Sequence, residues 1–190
     1  LNPQKIKKTD MKSGSIYFES TVGYFKFNSI DQNNIQLSLP DESSSNLTDP
    51  SDHFAAITTS TNGLGDLLFT EKEKVISWLE ANPARVAVAV LIDLGRTGNV
   101  TQIRERITPL LDMKWDRWWR TTRSHLENLE FVRTRRDRSF RLDQGFDVSH
   151  VVAPDADSTN TRISRLNTKE LEQEATKLIT EPETIIKIPL

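Results

Sequence analysis

Residues 82–142, NPARVAVAVLIDLGRTGNVTQIRERITPLLDMKWDRWWRTTRSHLENLEFVRTRRDRSFRL, decide the architecture. Asn82 suits an N-cap, Pro83 the first helical position, and Gly95 a C-terminal stop. The interior Val86–Ile92 is apolar nearly all round, which predicts a helix buried on most sides. A turn over 95–99 leads to VTQIRERI, which Asn99 or Thr101 can cap. Ile103 and Ile107 lie one turn apart on it, and Pro109 ends or kinks it. A third helix follows in KWDRWWRTTRSHLENL, with Trp115, Trp119, Thr122, Leu126 and Leu129 down one face. Two short strands, 131–134 and 139–142, flank Arg135-Arg136-Asp137-Arg138.

Helix, helix, helix and hairpin is the order of a winged helix-turn-helix, in which the third helix lies in the major groove and the hairpin meets backbone phosphate. Here both of those elements are basic. Residues 114–141 carry 9 basic and 4 acidic side chains, against 11 and 14 in residues 1–113 and 5 and 9 in residues 142–190. The whole chain, 190 residues with a net charge of -2, hides this segregation. A basic, tryptophan-bearing block between acidic flanks suits a polyanion. The other reading is a solvated charged face over a Trp-filled core. In the first reading Lys114, Arg117, Arg120 and Arg123 form the contact on the third helix. Arg133, Arg135, Arg136, Arg138 and Arg141 form a basic wing. Trp115 and Trp119 pack inside, and Trp118 is exposed to stack on a base or a partner.

Outward from this block, residues 1–13 read as a disordered arm. Residues 14–40 alternate with period two and predict a small β subdomain of three short strands. Ile16 and Phe18 share one face of the first strand. Phe25 and Phe27 share a face of the second, with Tyr24 opposite, and Ile35, Leu37 and Leu39 line the third. Asp31–Asn34 reads as a hairpin turn, and Gly23 as a bulge or bend. Residues 41–69 read as a loop or linker, and 70–142 as the winged-helix-like domain, opening with a helix capped by Thr70. Residues 143–190 form a C-terminal extension. In it Val148, Val151 and Val152 add a short strand, and residues 168–180 form an amphipathic helix. The fold class expected is α+β.

The run from Leu91 to Val132 resembles part of the N-terminal extension of chlamydial-type GreA transcription elongation factors. The positions that carry the likeness are Leu91, Leu94, Gly95, Ile103, Ile107, the Trp-x-x-Trp-Trp set Trp115, Trp118 and Trp119, and Arg123. Upstream, Pro50–Phe54 resembles that family's loop ahead of the helices, and the strands from Gly14 to Leu39 its small SH3-like sheet. The resemblance implies a module that accompanies the transcription machinery. It does not imply transcript cleavage, which in that family belongs to a coiled coil and a separate C-terminal domain.

Other chemistry is excluded on the residues. The chain has no cysteine, so no disulfide, thiolate metal site or cysteine nucleophile exists in it. No phosphate-cradling glycine loop and no nucleophile elbow occurs. His53 beside Asp52 is a loop neighbour, Asp155 and Asp157 are two carboxylates alone, and Glu170 and Glu174 share a helix with Lys169 and Lys177. No cofactor and no metal is expected. The N-terminus lacks the apolar core of a signal peptide, and no apolar run reaches the roughly 20 residues of a membrane span. The chain begins at Leu1 and is expected to come from a longer protein. The function expected is a non-catalytic, cytoplasmic or nucleoid-associated regulatory module of transcription or other nucleic-acid transactions. Its partners would be DNA, RNA or RNA polymerase. A protein-interaction scaffold, or the non-catalytic part of a larger enzyme, is the alternative.

Overall fold

Alternation of apolar and polar residues builds the first layer. In the computed structural model, which describes residues 5–32, 34–48 and 55–152, six strands form one antiparallel sheet. They are β1 (Lys5–Lys7), β2 (Ile16–Glu19), β3 (Gly23–Asp31), β4 (Asn34–Ser38), β5 (Ser44–Thr48) and β6 (Ala55–Thr58), in the order β1-β6-β2-β3-β4-β5. The β3–β4 hairpin closes with Asp31 opposite Asn34, at the turn the sequence predicts. The bulge lies between Phe27 and Ser29, while Gly23 is a bend, at φ +85 where the β2–β3 turn closes opposite Glu19. There the Glu19 carboxylate accepts from the amides of Thr21 and Val22 and the hydroxyl of Ser20.

The two faces of the sheet serve two cores. Tyr17, Phe25, Phe27, Ile35 and Leu37 point to one side and pack with Met11 and Ala56. Phe18 and Tyr24, opposite each other in the register, point to the other side and join the helical core. Phe25 and Phe27 thus share a face with Tyr24 opposite, as the alternation predicts, and across the register Tyr17 joins Phe25 while Phe18 joins Tyr24. Two buried faces explain why this segment is apolar at both parities.

The second layer is helical. It consists of α1 (Leu64–Thr70), α2 (Lys72–Ala81), α3 (Pro83–Asp93), α4 (Val100–Ile107), α5 (Trp115–Glu127) and the single turn α6 (Ser149–Val152). A small antiparallel sheet of β7 (Thr97–Gly98), β8 (Val132–Thr134) and β9 (Phe140–Leu142) completes it, in the order β7-β9-β8. α3 is the central helix, with every residue except Arg85 buried. It begins at Pro83 as predicted, although the Asn82 side chain makes no capping bond. It stops where Gly95 adopts φ +70, a conformation glycine takes without steric cost. At α4 the Asn99 side chain accepts from the Gln102 amide while the Gln102 side chain accepts from the Asn99 amide, a reciprocal capping box. α4 ends at Ile107, and Pro109 lies in the single 3₁₀ turn Thr108–Leu110 that follows. Among the described residues no helix is long and apolar enough to cross a membrane.

Four expectations are corrected. The arm 1–13 is not wholly disordered, since Lys5–Lys7 pairs with β6. The loop 41–69 contains β5, β6 and most of α1; β5 is Ser/Thr-rich with one apolar residue, and β6, four residues long, is too short to show alternation. Thr70 ends α1, donating to the Asp66 carbonyl, and does not cap the next helix. The strand expected at 148–152 is replaced by α6. The helix expected over 168–180 lies outside the described residues.

One buried carboxylate joins the layers. Asp93, at the end of α3, accepts from the Ser60 amide at 2.9 Å, the Gly65 amide at 2.9 Å and the Tyr24 hydroxyl at 3.1 Å. Arg106 on α4 donates to the same Tyr24 hydroxyl at 3.2 Å and approaches Asp93 to 3.9 Å, with its guanidinium 4.2 Å from the Phe18 ring centre. Gly63 makes this possible, because a Cβ there would overlap the Asp93 carboxylate. Burial pushes the Asp93 carboxyl up from 3.8 to about 6, against the pull of the two amides, Arg106 and Tyr24. An acid raised in the folded state contributes stability that is present below 3.8 and is lost as pH rises through about 6. Asp93→Asn turns one acceptor oxygen into a donor facing an amide or the tyrosine, which costs roughly 1–3 kcal/mol. Thermal unfolding followed by circular dichroism should show a melting point lowered by several degrees. The gap between the two proteins should narrow from pH 4 to pH 7.

Candidate nucleic-acid interface

Helical periodicity orients the candidate site. On α5 the buried residues are Trp115, Trp118, Thr122 and Leu126, spaced i, i+3, i+7 and i+11. The Trp118 indole donates to the Leu79 carbonyl at 2.9 Å, tying α5 to the end of α2. Trp118 is only 3 % exposed. The expected exposed, stacking Trp118 is therefore corrected: it is a core residue. The partly exposed member is Trp119, whose ring stacks on Trp115 (5.2 Å, 10°) and meets Phe140 edge-on (5.8 Å, 80°). A helical stripe admits either i+3 or i+4, and the position of α3 selects i+3.

The opposite face of α5 exposes Arg117, Arg120 and Arg123, with Lys114 at its N-terminal boundary. Arg123 pairs with Glu127 one turn on, at 2.8 Å. Arg117, Arg120 and Lys114 have no carboxylate within 4.0 Å among the described residues.

The hairpin brings the second group of arginines beside this helix. Arg133 and Arg141 are register partners on its outer face. Arg133 is tied to Asp143 by two bonds of 3.0 and 3.3 Å. At the tip, the Arg138 amide donates to the Arg135 carbonyl, and the Arg135 amide to the Ser139 carbonyl. Asp137 accepts from the Ser139 amide and hydroxyl, which hold its carboxyl below the usual range, with a smaller pull from Arg135. Arg135, Arg136, Arg138 and Arg141 are exposed and have no ion pair among the described residues.

Two open grooves flank the hairpin. The outer one, about 730 Å³, runs past Arg135 and Arg141 to the turn that carries Arg96 and Thr97 and to Gln102 in the first turn of α4. The inner one, about 390 Å³, lies between the hairpin, the start of α4 and α5. Arg138 and Arg123 line it together with Trp119. The sequence reading missed Arg96. It holds φ +70, and its guanidinium donates to the carbonyls of Asp143, Gln144 and Phe146, so it clamps the chain leaving β9 onto the turn after α3. It also missed Asp93 and Arg106. A lone acid in the otherwise apolar α3 was the available signal. Among the described residues no group of three His, Asp or Glu side chains is placed to hold a metal ion.

Comparison with family models, curated proteins and solved structures found no match.

Trp118→Phe keeps an aromatic side chain but removes the indole N–H and the five-membered ring, leaving the Leu79 carbonyl without its donor and a small cavity beside it. The expected cost is roughly 1–3 kcal/mol, read as a lower denaturant midpoint with an unchanged slope.

Proposed function

We propose that this chain is a non-catalytic accessory module that contacts nucleic acid through α5 and the β8–β9 hairpin, in a winged-helix arrangement. The observation that carries this reading is the set of exposed cations on two neighbouring elements. Lys114, Arg117, Arg120, Arg135, Arg136, Arg138 and Arg141 have no carboxylate partner among the described residues. Cations that are not neutralised internally are the ones available to phosphate, and each phosphate contact releases condensed counterions. The element order α3–β7–α4–α5–β8–β9, with β9 central in the small sheet, supports the winged-helix reading. In it α5 is the groove-facing helix and the hairpin the wing. Arg123 and Arg133, each held by an acid, would contribute less than their neighbours.

The transcription setting comes from the resemblance of the Trp-x-x-Trp-Trp helix to the extension of GreA-type factors. The same resemblance implies an SH3-like unit over the strands from Gly14 to Leu39. RNA polymerase is the protein partner it suggests.

Fluorescence anisotropy with duplex DNA, single-stranded DNA and RNA across a salt series tests the proposal. Affinity should fall steeply with salt. Changing Arg135, Arg136 and Arg138 together to Ala should weaken binding to all sequences alike and make the log–log salt slope shallower by about 2–3 units. Arg133→Ala alone should change it by less than about one unit. Absence of binding at low salt would sink direct contact and leave the protein-scaffold reading, with RNA polymerase as the partner to test.

A further inference from the structure

We propose that the inner groove beside the hairpin holds one unpaired nucleotide, its base against Trp119 and its phosphate met by Arg123 and Arg138. This rests on the nucleic-acid reading above and goes beyond it, because phosphate contact alone needs no pocket.

The groove has the size and the chemistry of such a site. Its volume, about 390 Å³, falls in the range of small-molecule sites, roughly 300–1,000 Å³. One wall is aromatic and apolar, made by Trp119, Phe140 and Val100. Trp119 is fixed by its stack on Trp115 and its edge contact with Phe140, so a base meets an ordered ring. The same groove is lined by two arginines, Arg138 from the hairpin tip, which has no ion pair among the described residues and is the stronger cation, and Arg123 from the helix side, whose Nε is held by Glu127 and which contributes less. A π surface with cations beside it is the combination that binds single-stranded nucleic acid, where every base offers a face to stack and each phosphate a charge. Asp137 also lines the groove. One of its oxygens is taken by Ser139, and the other can accept an amino or imino hydrogen of a base.

The backbone adds a separate observation. Arg138 sits at φ +62, where glycine or asparagine is the easier choice. This turn geometry sets Arg138 at the hairpin tip, where it lines the groove. Bases inside an intact duplex are stacked on both sides and cannot reach the groove without being extruded. The occupant is therefore a nucleotide of a single strand, a bulge or an opened duplex.

The test compares an oligothymidine strand with a strand of the same length and phosphate number in which abasic sites replace the bases. Both strands are measured against the full chain at low salt. The intact strand should bind about tenfold more tightly than the abasic one, and it alone should quench tryptophan fluorescence. Trp78, Trp115 and Trp118 are buried, so the quenching should report Trp119 and disappear in Trp119→Phe. Arg138→Gly relieves the left-handed backbone and leaves the core untouched, yet it should weaken the intact strand several-fold. Equal affinity for the two strands without quenching would overturn the nucleotide pocket while leaving phosphate contact standing. Failure of the duplex and of both strands to bind would remove the nucleic-acid reading and the pocket with it.

Discussion

The Asp93 carboxylate is the point on which the two layers depend. It gathers the turn at Ser60, the start of α1 at Gly65 and the sheet residue Tyr24 onto the end of the central helix, and Arg106 closes the group from α4. Such a cluster is costly to bury, because ions and amides leave water, and breaking one member costs more than the intact set contributes. Its value lies in uniqueness of arrangement. Apolar faces such as those of Phe18, Tyr24, Leu64 and Leu91 can slide over one another with little penalty, whereas directed hydrogen bonds to one carboxylate admit a single register. One atom stays short of partners: Arg106 Nη2 is buried and makes no hydrogen bond among the described residues. The guanidinium is instead covered by the Phe18 and Tyr24 rings, where cation–π attraction offsets part of its lost hydration.

A second set of polar contacts aims the basic face. The Trp118 indole bonded to Leu79 sets the rotation of α5 about its axis, and that rotation turns Arg117 and Arg120 outward. Arg96 clamps three carbonyls after β9, which anchors the base of the hairpin and leaves its tip, Arg135–Arg138, standing clear. Internal pairing then sorts the arginines. Arg106 and Arg96 work inside the fold, Arg123 and Arg133 are partly satisfied by acids, and Arg117, Arg120, Arg135, Arg136, Arg138 and Arg141 face solvent. Charge counting over residues 114–141 treats all of the arginines in that block as equal.

Local signals in the chain are strong where one element can be recognised by itself. Pro83 and Gly95 bracket α3, the Asn99 box starts α4, Asp31–Asn34 turns the β3–β4 hairpin, and the arginine-rich turn separates β8 from β9. These depend on backbone preferences and capping within a few residues, so they are legible without the rest of the molecule. The segment 41–69 was illegible for the opposite reason. β5 is polar and β6 only four residues long, and both exist because neighbouring strands supply their hydrogen bonds, while α1 forms where Asp93, 28 residues on from Gly65, satisfies an amide near its start.

By itself, then, the sequence determined the α+β composition, the positions of α3, α4, α5 and the hairpin, and the concentration of positive charge on the last two. Periodicity, caps and turn residues are local properties, and charge is additive along a chain. The tertiary structure alone decided which tryptophan of α5 stays partly exposed, which arginines of the basic block lack an acid partner, and that Tyr24, Asp93 and Arg106 meet. A helical stripe is degenerate between i+3 and i+4, a strand with two apolar faces does not say which core each face enters, and ion pairs form between residues far apart in sequence. Those choices are made only when one element packs on another.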